Sequence, residues 1–286
     1  MSTLTSPRRR LRQSIGKMAG AHIPLIIVAI IFAVPVLALI AESLKTLAQN
    51  TAVPPQWIPN PFYWGNYSAA VNIAPFAHML LNTVIIVALQ VVGVAISSAL
   101  IGYGFSVIRW RGQGVVFMLV IATMLIPYEV TLIPQYILFS KFGWLNTFYP
   151  LFVPYFFGIP IYIFLFRQFF LRMPVELSEA GRIDGASELR IFTRIYLPLA
   201  RPALLVVALL QFVAGWNDFL GPLIYLNDKS LSTLVLGMEY FRQNQYQVDV
   251  GGQAAYSIMI VAPVVFVFFL AQRRFIEGMT LTAMKG

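Results

Sequence analysis

Along this chain apolar residues do not alternate with polar ones at the spacing of an amphipathic surface; they gather in six runs. The runs cover residues 23–41, 76–108, 115–139, 149–170, 203–226 and 254–270. A hydrocarbon layer about 30 Å thick is crossed by about 20 helical residues, so each run is near or above spanning length. Backbone amides inside hydrocarbon have no water to bond to, and only a helix satisfies them within one segment. The pattern therefore predicts an all-α integral membrane protein with six transmembrane helices. Pro127 and Pro134 interrupt the third run and predict a kink, because each removes a backbone donor.

The segments between the runs carry the punctuation. The basic stretch SPRRRLRQSIGK precedes the first run in the charge order of a signal peptide. That run is longer than a signal h-region and no convincing small-residue cleavage site follows, so a retained first helix is expected. Residues 42–75 read as a loop, with PPQWIPNPFYWGNY supplying prolines and interfacial aromatics. The expected organisation is a basic tail over 1–22, a membrane domain over 23–272 with a charged loop at 172–202, and a tail over 273–286.

Composition agrees: 59% of residues are hydrophobic and 11% charged, against about 25% charged in soluble domains. The net charge of +9 acquires meaning from its placement. Five Lys or Arg lie in the first tail, two in Arg109-Trp110-Arg111, six between Arg167 and Arg201 and three in the last tail. Only Lys45, Lys141, Lys229 and Arg242 fall in the alternate loops. Such asymmetry marks the cytoplasmic side, and it predicts cytoplasmic termini rather than nucleic-acid binding. With no cysteine there is no disulfide, thiolate metal site or cysteine nucleophile, and His22 and His78 lack clustered carboxylates, so no metal site is expected.

One charged segment stands apart: ELSEAGRIDGASELRIFTRIYLPLARP, residues 176–202. Pro174 suits a helix start, and VELSEAGRI continues it for about two and a half turns. Asp184-Gly185 breaks it, glycine tolerating the left-handed backbone of a sharp turn. A second helix is predicted from Ser187, with Leu189, Phe192, Tyr196 and Leu199 as an apolar stripe. Arg190, Arg194, Glu176 and Glu179 face elsewhere, and Pro198 and Pro202 close the unit. Physics leaves two uses open: an amphipathic unit lying on anionic lipid, or a docking element for another protein.

Glu179-Ala180-Gly181, then Gly185 after three residues, then Ile195-Tyr196-Leu197-Pro198 after nine more, resembles the EAA loop of binding-protein-dependent ABC importers. LLNT at 80–83, MLIPYEVTLIPQY at 124–136, GWLNT at 143–147, GWNDFLGPL at 215–223 and the terminal tail extend the likeness. Together they resemble the shorter, six-span membrane subunit of maltose-type sugar importers. The resemblance implies a type I ABC importer permease fold, with a cytoplasmic coupling helix between helices 4 and 5. It implies that Glu179, Ala180, Gly181, Arg182, Asp184, Gly185, Ala186, Ile195 and Pro198 form the ATPase-coupling element. Gly181 departs from the usual alanine, and a mid-helix glycine costs about 1 kcal/mol against Ala.

The same likeness implies partners: a second, homologous permease, two copies of a cytoplasmic ATPase and an external solute-binding protein, in a bacterial or archaeal cytoplasmic membrane. ATP and Mg would sit on the ATPases, and no cofactor is expected on this chain. The residues agree, since no G-x-x-x-x-G-K-[ST], H-E-x-x-H or G-x-S-x-G occurs. The solute expected is a sugar or related polyol, with a glycerophosphate in the same range.

Polar residues at membrane depth are the candidates for the translocation path. Glu129 and Asp218 are expensive in hydrocarbon, at about 2.5 to 3.5 kcal/mol for Asp at a helix centre, and so face water or protein. Asn82, Gln90, Gln211 and Asn217 are equally suited to bonding a polyol or to gluing helices. Trp216 suits a gate, a sugar face or an interfacial belt. A self-contained secondary transporter or channel is the alternative, and it would need coupling-ion groups near the midplane.

Overall fold

The computed structural model describes the backbone of residues 7–242 and 249–283, with side chains over 22–241 and 249–272. All described regular structure is helical. The helices that matter here are α1 (Pro7–Ser43), α2 (Gly65–Ile73), α3 (Phe76–Gly104), α4 (Gln113–Leu125) and α5 (Tyr128–Lys141). They are followed by α6 (Pro160–Phe170), α7 (Glu176–Ile183), α8 (Glu188–Leu199), α9 (Arg201–Trp216), α10 (Leu220–Tyr225) and α11 (Val250–Ala283).

Four helical segments are long and apolar enough to cross a membrane, namely His22–Ser43, Phe76–Gly104, Tyr149–Phe170 and Val250–Gln272; Tyr149–Phe170 is interrupted at Gly158, where φ is +86°, before α6 begins. The third and fifth runs are broken. Between α4 and α5 the chain turns by 98° at Ile126-Pro127, where proline has no donor to carry the ladder on. Pro134 lies inside α5. In the fifth run α9 stops at Trp216 and α10 resumes at Leu220. Asn217 donates back to the Val213 carbonyl at 2.8 Å, and the Asp218 carboxylate accepts from the Gly221 N–H at 3.0 Å. These two side chains end one helix and cap the next, which is why a continuous apolar run is not a continuous helix. The second run is shorter than expected: α3 ends at Gly104, and residues 105–108 form a turn that packs back on the core.

The described residues within 1–73 and 241–259 form one compact unit, and those within 74–240 and 260–286 form another. In the first, the end of α1 is fixed by Asn66, whose amide donates to the Ser43 and Lys45 carbonyls at 2.9 and 2.8 Å. Asn66 lies in α2, a helix inside the stretch read above as a loop. The stretch is helical because these side-chain bonds reward it, not because its composition is periodic.

In the second unit two apolar clusters hold the spans together. One is built from Tyr103, Phe166, Phe170, Ile191, Phe192, Tyr196 and Val207, the other from Ile86, Phe139, Leu151, Tyr225 and Leu226. Polar ties gather the ends of elements. Asn82, near the start of α3, donates to the Ser230 and Ser232 carbonyls at 2.9 and 3.0 Å. Asn146, just after α5, receives Asn227 and Asp228 amides on its side chain. Arg167 Nε donates to the Phe105 carbonyl at 3.0 Å, joining the end of α6 to that of α3.

Candidate functional site

The charged segment folds as a helix, a turn and a second helix. The turn is a Schellman closure: Ala186 N–H bonds the Gly181 carbonyl at 2.9 Å and Gly185 N–H bonds that of Arg182 at 3.0 Å. Gly185 sits at φ +73°, a conformation in which any Cβ is strained. Ser187 then caps α8, its hydroxyl accepting from the Arg190 N–H. On α7, Glu179, Ala180 and Arg182 are exposed, as are Ile183 and Asp184 beyond them. Gly181 is buried. A methyl built there meets Ile191 Cγ1 at 2.9 Å, so this glycine is the point where α7 lies closest against α8.

The stripe of α8 differs from the expected one. Phe192 and Tyr196 are buried, but Leu189 and Leu199 are 63% and 50% exposed, and Ile191 and Ala200 take their places. For Leu199 the cause is a π turn over Phe192–Tyr196, whereas Leu189 and Ile191 lie before it. The wider winding of the π turn carries the buried face from Tyr196 to Ala200 rather than to Leu199. Ile195 is half-buried against this cluster and Pro198 is exposed before the 77° bend into α9.

Two residues not singled out above complete the site. Arg182 Nε donates to Glu188 Oε1 at 2.7 Å across the turn, and the Tyr103 hydroxyl donates to Glu188 Oε2 at 2.7 Å. The Arg182 guanidinium, with the Tyr103 bond second to it, holds the Glu188 carboxyl below the usual carboxylate range. Tyr103 is 2% exposed, with Tyr196 and Phe192 rings 5.1 and 5.3 Å away. Glu188 lies six positions after Arg182, which is no helical spacing, and only the folded turn brings them together.

The candidate path residues are scattered by comparison. Asn82 is buried and spent on the loop carbonyls. Gln90 donates to the Leu151 carbonyl at 2.7 Å and accepts from Gln211 at 3.0 Å, both amides being buried. Trp216 is buried, its indole N–H on the Ile260 carbonyl at 3.0 Å. Its ring borders an apolar cavity of about 440 Å³ with Val84, Val87, Val91 and Phe212, which offers a polyol few hydrogen bonds. Asn217 and Asp218 act in the helix break described above. Glu129 lies exposed in the first turn of α5, where its charge complements the helix dipole.

A set of apolar helices with an exposed, charged helix-turn-helix between α6 and α9 suits a membrane-embedded subunit, and the known proteins it matches are non-catalytic, membrane-spanning permeases of ATP-driven transporters. Residues 92–280 match the family of binding-protein-dependent transport system inner membrane components, and the chain belongs to that family. It therefore works with a solute-binding protein and an ATPase. It is 36% identical over 192 residues to the arabinooligosaccharides transport system permease protein AraQ of Halalkalibacterium halodurans, covering 66% of this chain and 67% of that one. It is 34% identical to the sn-glycerol-3-phosphate transport system permease protein UgpE of Yersinia enterocolitica, over 90% of this chain and 94% of that one. In fold it is similar to a chain of a bacterial ABC transporter involved in the import of the acidic polysaccharide alginate. The TM-score is 0.77 at 22% identity, over 96% of this chain and 100% of the other.

Proposed function

We propose that this chain forms one half of the pathway by which a sugar or related polyol enters the cell, pairing with a second, homologous permease. Two cytoplasmic ATPases, carrying ATP and Mg, drive it, and an external binding protein delivers the solute. The class of solute rests on the names of the relatives, which carry arabinooligosaccharides and glycerol 3-phosphate. Helix α7 is the element that enters the ATPase, with Glu179, Ala180, Arg182 and Asp184 at its surface and Gly185 as the pivot. The single observation that supports this most is the Schellman closure, which holds α7 at a fixed angle with its outer residues exposed. Closure of the ATPases would push α7 and rock the bundle.

The test is co-purification of the assembly from its own host. Gly185→Val forces a β-branched residue to φ +73°, a strain of about 1 to 2 kcal/mol. The expected outcome is a fold-competent permease that loses most of its ATPase on purification. Full retention, with undiminished uptake, would remove α7 from the interface. Screening arabinooligosaccharides and glycerol 3-phosphate against the partner binding protein by calorimetry identifies the solute class.

A further inference from the structure

The peptide chain connects the docking helix directly to only two spans. Upstream, Arg172, Met173 and Pro174 lead α7 back to α6; downstream, Gly185 leads through α8 to α9. Helix α3 has no covalent route to it except through the whole bundle. Yet α3 is the long rod of this unit, 29 residues or about 43 Å at 1.5 Å per residue. Its far end holds the Ser230 to Ser232 loop through Asn82. Whatever links α7 to the near end of α3 decides whether a push on α7 reaches the other face of the membrane.

Beside the packing of α3 on α6 and α8, one carboxylate bonds α7 to α3 directly. Glu188 stands in the first turn of α8 with both oxygens engaged, Oε1 by Arg182 of α7 and Oε2 by Tyr103 in the last turn of α3, each at 2.7 Å. Hydrogen bonds to an ionised group are short and about twice as strong as neutral ones. The phenol ring is wedged among Phe170, Phe192 and Tyr196, so the hydroxyl is held in one place. Behind it, Gly102 lets α3 approach α6 so closely that a methyl there would meet Phe166 Cβ at 2.7 Å.

We propose that Glu188 is the coupling joint of this permease: a positioning residue that, by accepting from Arg182 and Tyr103 together, makes the docking helix and α3 move as one body. The joint rests on α7 being the ATPase-docking element, as proposed above. Without it, α7 would still dock and still be pushed, but only the packing of α3 on α6 and α8 would carry the push, with no direct bond from α7 to α3.

The chain has no cysteine, so spin labels go where they are placed. Cysteines at Leu81, exposed near the far end of α3, and at Glu176, exposed at the start of α7, report the distance across the joint. The labelled permease is measured by double electron–electron resonance in its full assembly, without nucleotide and after trapping with ATP, Mg and vanadate. The expected result is one narrow distance, the same in both states. Tyr103→Phe keeps the ring and removes the donor. In that variant the nucleotide-free distance is unchanged, and the trapped one shifts or splits by about 3 Å, two residues of helical rise. Glu188→Gln, which accepts from one partner only, gives the same shift, and the double variant shifts no further than the larger single, because both act through one carboxylate.

A trapped Tyr103→Phe complex with the wild-type distance overturns the joint, as does a wild-type distance that changes on trapping. Additive shifts in the double variant do so too. If the unsubstituted permease carries no ATPase through purification, the docking assignment itself fails, which is a separate result.

Discussion

Residue by residue, Gly181 shows how far a sequence can mislead about sign. Read along the helix it is a defect, and replacement by the alanine of the family pattern promises about 1 kcal/mol of helix stability. In the fold it is buried, and a methyl would lie 2.9 Å from Ile191 Cγ1 and 3.2 Å from Ile191 Cδ1. Ile191 is itself 0% exposed and has little room to yield. Overpacking of this kind costs about 1 to 3 kcal/mol, enough to cancel the gain in propensity or exceed it. Gly181→Ala alone is therefore expected to lower the melting temperature of the purified permease, and adding Ile191→Val, which removes Cδ1 but keeps the closer γ carbon, to recover only part of the loss. Differential scanning fluorimetry on the three proteins checks this; a single variant that melts higher than the parent shows that α8 gives way freely. Arg182 and Glu188 make the complementary point. Their residue types were visible, but their pairing needs the left-handed turn at Gly185, and no periodicity encodes it.

For whole elements, the six apolar runs announced the number of passes well and their continuity poorly. Hydropathy reports what surrounds a segment, and both halves of a bent helix have the same surroundings. The breaks are written in side-chain bonds. Pro127 is a local sign, and the chain bends by 98° there. Asn217 and Asp218 carry another, which a sequence does not separate from membrane-depth chemistry, since a capping Asp and a solute-binding Asp look alike there. The Schellman turn was legible from Asp184-Gly185, whereas the π turn at Phe192–Tyr196 has no sequence signature and displaced the end of the stripe. Between elements, the Gln90 and Gln211 amides join α3 to α9 and to the Leu151 carbonyl. Interhelical bonds of this sort average about 0.6 kcal/mol in membrane proteins. Gln90→Leu breaks two of them and is expected to cost about 1 kcal/mol, while Gln211→Leu costs less in that background than alone, since its partner is already gone. Thermal unfolding in detergent measures both, and equal costs for Gln211→Leu in the two backgrounds would dissolve the pair. Gly215 belongs to the same pairing, because a Cβ there would collide with Gln90 Oε1.

On the scale of the molecule, the broken fifth pass puts the charge map to its hardest test. Helix α9, with 16 residues, reaches about 24 Å, short of the 30 Å hydrocarbon core. The six residues of α10 add about 9 Å, so the pass is complete only if both halves count towards it. Two observations argue that they do. Asn146, after α5, bonds the amides of Asn227 and Asp228, after α10. Asn82 of α3 bonds the carbonyls of Ser230 and Ser232. Three element ends thus meet in the loop region that bears Lys141 and Lys229, two of the four cations of the sparse side. The charged loop with Arg182, Arg190 and Arg194 lies at the other end of α9. The positive-inside rule then predicts an orientation, with the charged loop and both tails expected in the cytoplasm. Single cysteines at Asn227 and Thr193, both exposed, test it without background labelling in a chain that has none of its own. A membrane-impermeant maleimide is expected to label the Asn227 position in intact spheroplasts and the Thr193 position only after permeabilisation. The opposite pattern would invert the topology and with it the docking of α7, whereas labelling of both positions from outside would mean that α9 and α10 fold back rather than cross.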